Sequence, residues 1–126
     1  MRDSDQSRRP PDANISVALD LMWARYQSQI LERVMVLEAA ASAVTARNLT
    51  ASEREAAHAA AHKLAGSLGM FNLERGTNLA RELEAAYKLE SPPAPDEAGR
   101  LVSLAAELRA MIESRKSGIE NRKPAG

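Results

Sequence analysis

Apolar residues recur every three or four positions along most of this chain, the spacing of helices that each bury one face. From Asn14, a candidate N-cap, the series Ile15, Leu19, Met22, Trp23, Tyr26, Ile30, Val34, Leu37, Ala41 and Val44 predicts a first helix ending near Arg47-Asn48. Thr50 and Ser52 are each followed three residues later by a glutamate, so either makes a capping box for a second helix. That helix is expected to run to about Leu68 and to stop at Gly69. Asn72 is the candidate N-cap of a third helix with the stripe Leu73, Gly76, Leu79, Ala80, Leu83, Ala86 and Tyr87. Ser91-Pro92-Pro93-Ala94-Pro95 breaks the pattern, and Asp96 and Glu97 suit the positive end of a fourth helix carrying Leu101, Leu104, Ala105, Leu108, Met111 and Ile112. Four amphipathic helices with short connections predict an all-α fold, an up-and-down antiparallel four-helix bundle with disordered termini. Residues 1–13 are expected to be a disordered N-terminal segment, 14–116 the bundle, and 117–126 a flexible tail.

Composition narrows the function classes. A chain of 126 residues suits one domain, and its 44% apolar content with only 3% aromatics is that of Ala/Leu-rich helices. There are no cysteines, which excludes disulfides, thiolate metal sites and cysteine nucleophiles. Seventeen basic and seventeen acidic residues balance, so the basic excess of a nucleic-acid binder is missing. No apolar run approaches the ~20 residues of a membrane span, and the polar start Met1-Arg2-Asp3-Ser4 is not a secretory signal. The expectation is a cytoplasmic monomer without nucleic-acid or membrane partners.

On a wheel of ~100° per residue, Ala57, Ala60, Ala61, Leu64 and Leu68 form the core stripe of the second helix, and His62 lies off it. One turn to either side of His62 stand His58, Ala59, Ala65 and Gly66, with Gly69 a further turn on. Apart from His58 these residues are small. A glycine inside a helix costs about 1 kcal/mol relative to alanine, so Gly66 needs a reason: close packing against another helix, or clearance for a partner approaching the imidazole. Two other readings stand beside a chemical one. His58 and His62 have the i, i+4 spacing of metal ligands, and Glu55 supplies a Glu-x-x-His pair, but the chain holds only these two histidines. The alanine-rich faces also suit an interaction bundle without chemistry.

The run from Ala61 to Glu84 resembles the signature of histidine phosphotransfer (HPt) domains of multistep phosphorelays. The matching residues are His62, Leu64, Gly66, Ser67, Gly69, Phe71 and the Leu79-Ala80…Leu83-Glu84 run. They cover about a fifth of the chain, and the four-helix pattern covers nearly all the rest. Many members carry a lysine three residues after the histidine, where this chain has Ala65; Lys63 is the nearest substitute. The position before Leu73, expected to be small in close relatives, is Asn72.

The resemblance implies that His62 is a phosphoryl acceptor and that the protein is a carrier rather than an independent kinase. It implies phosphoryl exchange with a response-regulator receiver domain, a sensor histidine kinase, or both. It implies no cofactor or metal of the domain's own, the receiver supplying aspartate and Mg²⁺. Lys63 is then the candidate phosphate-assisting residue, and Ala59, Ala65, Gly66, Gly69, Asn72 and Arg75 the candidate partner-binding residues. The absence of a Walker A or other glycine-rich nucleotide loop fits that division of labour. Phosphoryl transfer asks the protein for positioning and charge stabilisation rather than covalent machinery.

Overall fold

The computed structural model describes residues 11–88 and 90–116. The described residues form four α-helices: α1 (Pro11–Thr45), α2 (Ala51–Met70), α3 (Glu74–Lys88) and α4 (Ala98–Lys116). A 3-10 turn, Pro95–Glu97, leads into α4 and carries Asp96 and Glu97 at its entrance. α1 packs on α2 and α4, and α3 packs on the same two helices, which closes a four-membered ring around one core. Short connections make sequential helices antiparallel, so this is the expected up-and-down bundle. No strand occurs among the described residues.

The ends of the helices differ from expectation in instructive ways. α1 begins at Pro11, so residues 11–13 are helical and Asn14 lies inside the helix instead of capping it. Proline suits a first helical position because the amide hydrogen it lacks would be unpaired there anyway. The rest of the expected N-terminal segment and the tail 117–126 lie outside the described residues. α1 ends in a Schellman motif: the amide of Arg47 donates to Val44 O at 3.0 Å and that of Asn48 to Ala43 O at 2.9 Å. Arg47 takes the left-handed conformation, φ 61°, that the motif requires.

Most stripe positions are buried, but Ile15 and Tyr26, toward the N-terminal end of α1, are exposed, and Leu19, Met22, Leu73, Ala86 and Met111 are only partly buried. Val34, Leu37, Leu64, Leu68, Leu83 and Leu108 are fully buried. α1 has 35 residues against 20, 15 and 19 in the other helices, so it outreaches them. Near that outer end Asp20 is buried and ion-paired with Arg115 of α4 at 3.0 Å. The Arg115 guanidinium lies 5.3 Å from the Trp23 ring centroid. Trp23 in turn meets Phe71 edge-to-face at 5.0 Å. These contacts tie α1, the α2–α3 connection and α4 together at one end of the bundle.

Candidate functional site

Helix α2 starts at a complete capping box. The Glu53 amide donates to Thr50 Oγ1 at 3.0 Å, and the Thr50 amide donates to Glu53 Oε1 at 2.9 Å. Thr50 is therefore the cap, and Ser52 lies inside the helix. With the start fixed, Ala57, Ala60, Ala61, Leu64 and Leu68 turn inward as the wheel predicts. His62 is left at the surface with its side chain 71% exposed.

Its ring is not free to spin. Nδ1 lies 2.8 Å from Oε2 of Glu84 on α3. Leu83 and Tyr87 on α3 are buried, and Glu84 sits at the edge of that stripe, partly exposed. An ionised carboxylate can only accept, so in the neutral ring the proton sits on Nδ1, which donates to Glu84, and the Nε2 lone pair is left free. The hydrogen bond at one ring nitrogen sets the state of the other. His58, one turn earlier and half as exposed, approaches the same Glu84 oxygen with Nε2, at 3.8 Å. The two histidines thus face the carboxylate with opposite nitrogens, and His62 is the more exposed of the two.

Gly66 resolves between its two readings. A Cβ built there would meet nothing within 4 Å, so no helix packs against it. The surface one turn beyond His62 is open. Ala59, Lys63 and Gly69 are exposed as well. Lys63 leaves the helix ~100° around from His62.

Ala65 departs from the expected docking strip. It is 3% exposed and belongs to the core. It stands only ~40° from Ala61 on the wheel, which turns it to the buried side. Gly69 does not stop the helix either; α2 runs through it to Met70. The stop is made by Asn72, which adopts φ 62°. Its amide donates to Gly69 O at 3.0 Å while the Leu73 amide donates to Leu68 O at 2.9 Å, a second Schellman motif. Asn72 thus terminates α2 and does not cap α3. It remains exposed, lining a shallow cavity with Gly69, Leu73, Glu74 and Thr77 at the α2–α3 corner. Arg75 is committed elsewhere: its Nε and Nη2 donate to Glu107 Oε2 of α4 at 3.0 and 2.8 Å. That directs it away from the α2 face.

The Hpt domain family model matches residues 21–118. The chain belongs to the Hpt domain family. A protein named RcaC from Microchaete diplosiphon is 35% identical over 66 residues, 52% of this chain and 10% of that protein. The chain thus spans about a tenth of the length of that curated relative. No solved structure gives a significant match.

Members of this family are phosphoryl carriers in phosphorelay signalling, not kinases, and the site has a form that suits such work: an exposed imidazole, one nitrogen held, the other open. Two features of this Hpt domain escaped the sequence reading. Glu84 was part of the recognised motif, but nothing in the helical pattern aimed it at His62. The second is a groove of about 270 Å³ between α1 and the C-terminal end of α2, formed by Met22, Tyr26, Gln29 and Ile30 with Ser67, Met70 and Phe71. Met22 and Tyr26 were legible as apolar stripe positions. Their place at the rim depends on how α1 lies against α2, which no single-helix wheel contains. Among the described residues no helix is long and apolar enough to cross a membrane, and no group of three or more His, Cys, Asp or Glu is arranged to hold a metal ion.

Proposed function

We propose that this Hpt domain carries a phosphoryl group on Nε2 of His62, exchanging it with a receiver-domain aspartate or accepting it from a sensor histidine kinase. The observation that carries the reading is the 2.8 Å contact from Nδ1 to Glu84, which in the neutral ring leaves the Nε2 lone pair free on a side chain that is 71% exposed. In the forward step the Nε2 lone pair attacks phosphorus of an aspartyl phosphate. The N–P bond forms, the P–O bond to the aspartate breaks, and the carboxylate leaves with the electron pair. The ring keeps its Nδ1 proton and gains positive charge, which the Glu84 carboxylate offsets where it develops. Mg²⁺ belongs, in this reading, to the receiver.

The docking face runs from Ala59 and Gly66 into the groove rimmed by Met22, Tyr26 and Met70, where an apolar side chain of the partner fits. Lys63, exposed beside His62, is the candidate cation for the phosphoryl oxygens. The domain is taken to act as a monomer in the cytoplasm.

The test is intact-protein mass after incubation with a small phosphoramidate or a phosphorylated receiver, for the wild type and His62→Gln. One acid-labile phosphoryl group on the wild type and none on the variant is the expected result. His62 lies off the core, so the variant should keep the wild-type Tm within a few degrees. Labelling of His62→Gln, or no labelling of folded wild type by any donor, would overturn the assignment; the second result would leave a docking module without chemistry.

A further inference from the structure

Glu84 has to hold a rotamer, and a single contact to a largely exposed ring is a poor means of doing so. Ordering a long glutamate side chain costs conformational entropy that one exposed charged contact does little to offset. The structure places a second imidazole near the same oxygen, just beyond hydrogen-bond distance. His58 Nε2 lies 3.8 Å from Glu84 Oε2, on the side toward the preceding turn of α2, and its side chain is 35% exposed against 71% for His62. Glu84 itself is 23% exposed. The carboxylate is therefore flanked by two imidazoles spaced one helical turn apart, which reach it with opposite nitrogens.

We propose that His58 is a positioning residue for phosphoryl transfer: it holds the Glu84 carboxylate against His62 and so keeps the His62 proton on Nδ1 and Nε2 open. This rests on the reading of His62 as the acceptor, but its first consequence, the tautomer, does not need phosphorylation to be seen. His58 with its proton on Nε2 draws the carboxylate toward the α2 face. Without it Glu84 has one tether, swings into solvent for part of the time, and releases His62 to place its proton on either nitrogen. The inference also gives the two histidines distinct duties: the less exposed one anchors the carboxylate, and the more exposed one does the chemistry.

The experiment uses the full chain in four forms: wild type, His58→Leu, Glu84→Ala and the double variant. Ring ¹⁵N NMR at a pH where the imidazoles are neutral reports the His62 tautomer, and single-turnover phosphorylation from a receiver reports the rate. His58→Leu should move the His62 nitrogens toward a mixture of tautomers and slow acceptance by roughly three- to tenfold, the range of one coupled contact. It should add nothing in the Glu84→Ala background. His58→Gln keeps an N–H donor, so it should recover part of both signals; His58→Ala serves in place of His58→Leu if that variant fails to fold. An unmoved His62 tautomer, or effects of His58 and Glu84 that simply add, would overturn the proposal. A coupled tautomer in a protein that takes no label would instead retain the positioning role and remove the acceptor assignment. A labelled His62 with no coupling would do the reverse.

Discussion

Gly66 on α2 and Gly76 on α3 are the same residue in the same kind of structure, yet they stand in opposite environments. A Cβ at Gly76 would lie 2.9 Å from Met111 Sδ and 3.1 Å from Leu68 Cδ1. That glycine lets α3 lie close to α2 and α4. A Cβ at Gly66 would meet nothing within 4 Å. Each forgoes about 1 kcal/mol of helix propensity relative to alanine. At Gly76 the return is packing, and at Gly66 it cannot be. A helical glycine that costs stability and relieves no contact calls for a reason outside the fold, and here the open space lies one turn from an exposed imidazole. The molecule divides accordingly: the interior of α3 is filled to contact, and the outer face of α2 is kept clear.

The largest expected effect is on the packed side. Gly76→Leu drives three further carbons past a Cβ that is already in collision, so it should destabilise the fold by about 3 kcal/mol. Chemical denaturation measures this directly, and an unchanged midpoint would mean that the α3 interface has slack. Next comes Tyr87, fully buried near the far end of the same helix. Burial pushes its phenol up from 10.0 to about 12. A group whose folded pKa is raised lends its stability in full below the unfolded value, so this contribution is intact below pH 10 and is lost as pH rises toward 12. The loss should amount to about 2–3 kcal/mol. Tyr87→Phe cannot ionise, so it should flatten the decline in that window; an equally steep decline would mean that another group governs alkaline unfolding.

The division between interior and open face also explains what could be read from the sequence. The core stripes, the four helices and the Thr50–Glu53 box depend on neighbours three or four residues apart, and those interactions are local. The exposure of His62 follows from the same periodicity. Glu84 was not aimed at His62 beforehand, because their meeting depends on the angle and register between α2 and α3 across 22 residues of chain. Arg75 was misdirected for the same reason: its partner Glu107 stands on α4. The end of α2 was misread for a subtler one. Glycine is the usual residue at the left-handed position of a Schellman motif, so Gly69 drew the assignment. Asparagine tolerates that conformation too, and Asn72 occupies it. Ala65 shows the limit of a strip drawn by i+3 spacing alone, since one turn along a helix is also a step of ~60° around it.

The smallest effects test the open face most sharply, because there stability and function should part. Gly66→Ala adds a methyl where nothing stands, so the fold should gain up to about 1 kcal/mol from helix propensity. The methyl group is short, and phosphorylation of His62 should stay near the wild-type rate. Gly66→Leu also favours the helix, but its side chain extends back toward the preceding turn, the direction in which helical side chains lean, and so over His62. That variant should be at least as stable as the wild type and yet accept phosphoryl groups from a receiver more than about tenfold more slowly, a barrier increase of about 1.4 kcal/mol or more. A small phosphoramidate needs no docked protein surface and should be hindered less. If both donors label Gly66→Leu normally, the clearance at Gly66 has no part in transfer. If both variants lose stability, the helix at Gly66 needs glycine for its own sake and the contrast with Gly76 disappears.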